Sequence, residues 1–237
     1  MTVELRGRKT ERSDGDPQVP DPGNAGGGKS PRGSLSSLRL TLLGVGAMNS
    51  PRYRPAGLLV SWPGRRIMFD GGGAAVPAQP VDAWLVTDAR AELIADIRRR
   101  CRAAGLRPEV GGWAGNPVHV RSLPVAHTSH PTHGYLIEAA GRRVVWAPEF
   151  WRFPDWAAGA DLMFADAAGW ARPIRFAHQV GGHACVLDTA DQARRYGVRR
   201  LVFAHIGRPS IRARDAGHRP PFGEWGVEGH TYRLALR

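Results

Sequence analysis

From Leu38 onward the chain is a succession of short apolar runs of β type, each cut off by Gly or Pro. That punctuation leaves no room for long helices and calls for a sheet-rich domain. LRLTLLG (38–44) opens the series. AGLLVSW (56–62) and RRIMFD (65–70) follow as a hairpin turned at Pro63-Gly64, and DAWLVT (82–87) is the next strand. NPVHVRSLPV (116–125), HGYLIEAA (133–140) and RRVVWA (142–147) continue it, the last two joined across Gly141. DLMFAD (161–166) and RRLVFAH (199–205) complete the set, and PPFGEWGVEGHTYRLALR (220–237) reads as a final covering strand.

Two helices interrupt the strands. Leu93, Ile94, Ile97 and Cys101 share one face with Arg98, Arg99, Arg100 and Arg102 turned away, and Gly105 ends the pattern. The second helix spans about 186–196, with Val186, Leu187, Ala190, Ala193 and Tyr196 inward and Gly197 as its stop. No linker composition follows, so residues 38–237 form one α/β domain with two β-rich layers.

Residues 1–37 differ in kind. They are crowded with Pro, Gly, Ser, Asp and Arg, lack apolar periodicity, and read as a disordered tail. Gly23–Ser30 matches the phosphate-cradling G-x-x-x-x-G-K-[ST] pattern. Its flanks, DPQVPDP and Pro31-Arg32-Gly33, offer neither the buried strand nor the helix that a phosphate loop needs, so low-complexity sequence is the reading. The N-terminus also lacks the apolar core of a signal peptide, no run is long enough to span a membrane, and a cytoplasmic location without membrane association is expected. Cys101 and Cys185 are too few for a disulfide framework.

The net charge of +12 makes nucleic acid or another phosphate-bearing partner worth weighing. Every basic residue after Lys29 is an arginine, scattered without a dense block, so nucleic acid is not favoured over a small anionic molecule.

The order of the pieces resembles the metallo-β-lactamase fold, an αββα sandwich, in the branch that holds ribonuclease Z and the cyclic phosphodiesterases. LTLLGVGAMNSPRYRPAGLLV is similar to the family's opening strand, glycine turn and second strand, and IMFDGGG to its "ilfDcG" segment. HTSHPTHGYLIE and RRVVWAPE resemble the third-histidine and bridging-acid segments, and GGHACVLDTADQARRYGVRRLVFAHIGRP the closing one. The resemblance implies a hydrolase-like protein acting on a phosphodiester or other anionic substrate.

The chain departs from the family where metal is held. The family's H-x-H-x-D-H motif aligns with Asp88-Ala89-Arg90-Ala91-Glu92-Leu93, so both histidines of the first pair are missing. Asp88 and Glu92 can donate oxygen, Leu93 cannot coordinate, and Arg90 carries a permanent positive charge. Two unit charges about 4 Å apart interact by roughly 4 kcal/mol at an effective dielectric of 20, so Arg90 beside a divalent ion costs on the order of twice that. By resemblance, His127 stands as the third histidine with His130 as its alternative. Glu149 stands as the bridging acid, His205 as the last metal histidine, and His183 as the residue that handles the scissile phosphate.

Plainer roles exist for several of these. Asp88 follows a strand and precedes a helix, which suits a helix cap, and Arg90 and Glu92 suit first-turn surface charges. Trp146, Trp151, Trp156 and Trp170 suit packing. Two readings result. In one, Glu149, His205 and His127 or His130, with Asp88 or Glu92, bind one divalent ion (zinc, manganese or iron), while Arg90 and His183 hold the anionic substrate. In the other, the protein is metal-free and non-catalytic, Arg90 pairs with Glu149, Asp88 or Glu92 in place of the cation, and the cleft binds a ligand or partner.

Overall fold

The structure is a computed structural model that describes residues 37–177 and 180–236. The tail read over 1–37 therefore lies outside the described residues except for Ser37, which already begins the first strand.

One sheet is built from β1 (Ser37–Gly44), β2 (Gly57–Trp62), β3 (Arg65–Asp70) and β4 (Ala83–Leu85), closed on one edge by β14 (Thr231–Ala235) in the order β14-β1-β2-β3-β4. Trp62 faces Arg65, so Pro63-Gly64 alone makes the β2–β3 turn, with Gly64 at φ +73°. That conformation suits glycine. β3 and β4 run parallel.

The second sheet starts as an antiparallel meander of β5 (Trp113–Gly115), β6 (Val118–Val125), β7 (Thr132–Ala139) and β8 (Arg142–Ala147). It continues in parallel through β9 (Leu162–Ala167), β12 (Leu201–Ile206) and β13 (Glu224–Trp225). A small ribbon, β10 (Ile174–Arg175) with β11 (Gly182–His183), stands apart from both sheets.

Strand alternation divides the apolar residues between two cores. Ile67 and Phe69 of β3 join Leu38, Leu40 and Leu42 against Tyr135, Trp146 and Phe164 of the second sheet. Met68, between them in sequence, points the other way with Trp84 and Val86 and packs under Ile97 and Cys101 of α1 (Ile94–Ala103). On the second sheet α2 (Val186–Arg195) packs over β9 and β12 through Val186, Ala190 and Ala193. The result is the expected αββα layering.

Two details differ from the sequence reading. α1 begins at Ile94, not directly after Asp88, because residues 88–94 close as successive turns, Ala91 N–H to Asp88 C=O at 3.3 Å and Ile94 N–H to Ala91 C=O at 3.0 Å. A third helix, α3 (Arg208–Asp215), follows β12. Its arginines mask a narrow buried face of Ser210, Ile211 and Ala213, and Pro209 sits in the first turn, where a missing N–H costs nothing.

Candidate active site

β8, β9 and β12 run side by side in the same direction, so their carboxyl ends lie together at one edge of the sheet. Glu149 follows the end of β8, Asp166 is the last residue but one of β9, and His205 sits near the end of β12. The β9–β12 register slips at His205, whose φ is +56°. A bulge of this sort re-aims one side chain, and here it turns the imidazole toward Glu149.

The side chains form an alternating chain of bases and acids. His127 Nε2 lies 3.3 Å from Glu149 Oε2, and His205 Nε2 lies 2.9 Å from Glu149 Oε1. On its other side His205 Nδ1 faces Asp166 Oδ1 at 3.6 Å, and His183 Nδ1 pairs with Asp166 Oδ2 at 2.7 Å. The rear of His127 is fixed as well, Nδ1 donating to the Gly182 carbonyl at 2.8 Å, while Gly182 N–H returns a bond of 2.9 Å to the His127 carbonyl. Gly181 permits this approach: at φ +138°, a Cβ there would run into the His127 carbonyl.

The charges follow from these contacts. Burial raises the Glu149 carboxyl, but the imidazoles of His205 and His127 outweigh it and hold the group well below the usual carboxylate range. Asp166, wholly buried, is likewise pulled down to about 2 by His183 and His205 against the effect of burial. Burial lowers His205, but Glu149 and Asp166 outweigh it and push the imidazole up to about 10. His127 is raised in the same way by Glu149. The positive partners of Glu149 are therefore two histidines.

A second pair lies across the cavity. Asp88 Oδ2 pairs with His130 Nε2 at 2.7 Å, and Asp88 Oδ1 accepts the Arg90 backbone N–H at 2.7 Å. Asp88 caps its own turn in this way, and the N-cap position of α1 falls on Leu93. The Arg90 guanidinium is exposed and makes no ion pair among the described residues. The expected pairing of Arg90 with Glu149, Asp88 or Glu92 is thus corrected: the turn that anchors its backbone leaves its side chain at the rim. Glu92 is exposed at the same rim. Asp88 thus faces the cavity with both oxygens engaged, while the Arg90 guanidinium and Glu92 lie at its rim.

Asp88, Arg90, Glu92, His127, His130, Glu149, His183 and His205 line one cavity of about 550 Å³, with Arg208 on the α3 side and Leu93, Ile97 and Phe176 as apolar wall, while Asp166 is wholly buried and does not reach it. Beneath it Asp70, at the end of β3, accepts from Thr87 N–H at 2.7 Å, Thr87 Oγ1 at 2.9 Å and Trp146 Nε1 at 2.7 Å. Burial pushes this carboxyl up to about 6 despite those donors.

Two acids were not singled out by sequence. Asp166 ends an entirely buried strand, and an acid at the end of an otherwise apolar run is the signal that marks it. Asp70 lies inside IMFDGGG, where it reads as a turn residue.

The arrangement has the donor set for one divalent ion. Two imidazole Nε2 atoms flank one carboxylate, and the other nitrogen of each ring is turned toward an oxygen, the arrangement that leaves Nε2 free to ligate. Asp166, His183 and His205 also offer ligand atoms within 4.8 Å of one another. Asp166, however, already accepts Phe150 N–H at 3.1 Å, Ala168 N–H at 2.8 Å and His183 Nδ1 at 2.7 Å, so both its oxygens are engaged.

No family model and no curated protein matches the chain. Solved structures do. The metallo-β-lactamase fold protein YhfI from Bacillus subtilis superposes with a TM-score of 0.66 at 15% identity, over 84% of this chain and 100% of that one. A diphosphatase from the PhnP family gives 0.63 at 17% identity, over 85% and 99%. Zn(2+)-bound PqqB from Methylobacterium extorquens gives 0.59 at 15% identity, over 83% and 100%. Among the described residues no helix is long and apolar enough to cross a membrane. With its two facing sheets, its outer helices and these superpositions, the chain has the metallo-β-lactamase fold.

Proposed function

We propose that the protein is a hydrolase of anionic esters, phosphodiesters above all, built around a single divalent ion of zinc, manganese or iron. The observation that carries the reading is the placement of Glu149 between the Nε2 atoms of His127 and His205. These three residues would hold the ion. A divalent ion supplies Lewis acidity and makes water acidic enough to act as a nucleophile near neutral pH.

The chain's own groups supply the rest. The exposed Arg90 and Arg208 at the cavity rim present positive charge to the anionic part of a substrate. His183, oriented by Asp166 at 2.7 Å, faces the same cavity and is placed to give a proton to a leaving oxygen. The cavity's apolar wall excludes water around these charges and strengthens their effect. A diphosphatase and a zinc-bound protein among the structural neighbours support this chemistry without specifying a substrate.

Plasma mass spectrometry of the purified protein, before and after incubation with each metal, tests the reading, with His205→Ala and Glu149→Gln as controls. About one ion per chain, lost in both variants together with hydrolysis of bis(p-nitrophenyl) phosphate, is the expected result. A second reading is a metal-free binding protein for small anions, favoured by the fact that two imidazoles already neutralise Glu149. Protein that takes up no metal under any condition would establish that alternative.

A further inference from the structure

Asp88 and His130 form a carboxylate–imidazole pair that the metal centre does not use. Both line the cavity that holds Glu149 and His183. Asp88 is nearly buried, and both its oxygens are occupied by protein: Oδ1 by the Arg90 backbone N–H and Oδ2 by His130 Nε2, each at 2.7 Å. A carboxylate only accepts, so a hydrogen lies on Nε2, and the neutral tautomer compatible with this contact carries its lone pair on Nδ1. Nδ1 of His130 has no protein partner among the described residues and is not sealed from solvent.

The loop that carries His130 has further ties of its own. Thr128 Oγ1 donates to the His130 carbonyl at 3.0 Å and meets Thr132 Oγ1 at 3.1 Å, and His133 N–H binds the Thr87 carbonyl at 2.9 Å. The loop is therefore tied to the end of β4 by its backbone. The charged neighbours on that side are Asp88, Arg90 and Glu92, with Glu149, His127, His183 and His205 also lining the cavity.

We propose that Asp88 and His130 are an acid–base dyad in which His130 takes a proton through Nδ1 from the attacking water and Asp88 holds the ring in the tautomer that can accept it. The inference rests on the hydrolytic reading above. As the water oxygen bonds to phosphorus, its proton passes to His130 Nδ1. The ester P–O bond breaks, and the departing oxygen takes a proton from His183. Both rings return to their starting states by exchange with solvent, so a diester and water give a monoester and an alcohol. With only one ion to acidify water, a nearby base does what a second ion would otherwise do. His130 is the catalytic residue in this scheme and Asp88 a positioning residue.

The test uses the full chain loaded with zinc or manganese, bis(p-nitrophenyl) phosphate as probe, and the variants His130→Ala and Asp88→Asn. Metal content is measured first and is expected to match wild type in both. kcat should fall about 10²-fold or more in His130→Ala with KM little changed, the range for loss of a general base. Added imidazole should restore part of that activity in His130→Ala and none in Asp88→Asn. Nitrogen NMR of the histidines should show His130 as the Nε2–H tautomer in wild type and a mixture in Asp88→Asn. Loss of metal from His130→Ala would make His130 a ligand and overturn the proposal, as would wild-type activity in that variant or an Nδ1–H tautomer in wild type. A wild type that binds metal but hydrolyses no phosphodiester would fell the hydrolytic reading and the base with it. An active wild type matched by an equally active His130→Ala would fell the dyad alone.

Discussion

Trp146 Nε1 donates to Asp70 Oδ2 at 2.7 Å, joining the end of β3 in one sheet to β8 in the other across the core. The same carboxylate takes Thr87 N–H and Oγ1, so it also fixes the loop from which Asp88 and Arg90 project. Three donors on one buried acid make it the hinge pin between the core and the rim of the cavity.

Trp146→Phe should therefore cost more than its volume. It leaves a buried acceptor short of one partner, a penalty of about 1–3 kcal/mol, in addition to the loss of packing. Urea unfolding should show a lower midpoint with an unchanged slope. A loss below about 1 kcal/mol would mean that water replaces the indole.

The same acid sets a pH dependence. Folding raises Asp70 from 3.8 to about 6, so its contribution to stability is complete below pH 3.8 and is lost as pH rises through 6. The difference amounts to roughly 3 kcal/mol. Asp70→Asn should show a flatter profile between pH 4 and 6, because its neutral amide has no proton to lose there. A profile as steep as that of wild type would assign the dependence to other groups.

His205 titrates in the opposite part of the range. In metal-free protein its imidazole is raised from 6.5 to about 10, so the stability it contributes is present below pH 6.5 and is lost as pH rises through 10. Metal must displace that proton, so uptake should release protons and tighten about tenfold per pH unit for each proton displaced between pH 6 and 8. Calorimetry in two buffers of different ionisation enthalpy measures the release. Uptake with no proton release would place the ion away from His205.

Arg90→Ala should leave stability within about 0.5 kcal/mol of wild type, because the guanidinium is exposed and makes no ion pair among the described residues. Its effect should appear instead as weaker binding of an anionic probe, read as a higher KM. A lowered melting temperature would revive the idea that Arg90 compensates buried acids.

The double variant Arg90→His/Leu93→His should raise metal content above one ion per chain, since it returns imidazole donors to two positions of the cavity wall. Leu93 packs against the small core under α1, so a modest loss of stability should accompany the gain. Unchanged stoichiometry would show that the rim has moved out of reach of the centre.

Much of the fold was legible from local pattern. The β2–β3 hairpin announced itself through Pro63-Gly64, and α1 and α2 through their apolar faces, because these signals are short-range. α3 was hidden because its apolar face is only a few residues wide between arginines. In the site, Glu149, His127 and His205 come together as expected. The pairing of Asp88 with His130 and the role of Asp166 were not legible, since each depends on which residues face each other across 42 and 17 positions of sequence. A lone acid at a strand end does not announce its partner.

The bulge at His205 and the parallel run of β8, β9 and β12 bring one edge of the second sheet to the cavity. Asp166 and His205 sit on strands whose every residue is buried, whereas Asp88, His127, His130 and Glu149 hang from turns and loops beyond the strand ends. Substitutions at Asp166 and His205 should therefore disturb folding and chemistry together. Diversification of such a protein is thereby channelled: its reaction can drift through the loops while the strand-borne pair of Asp166 and His205 is inherited unchanged.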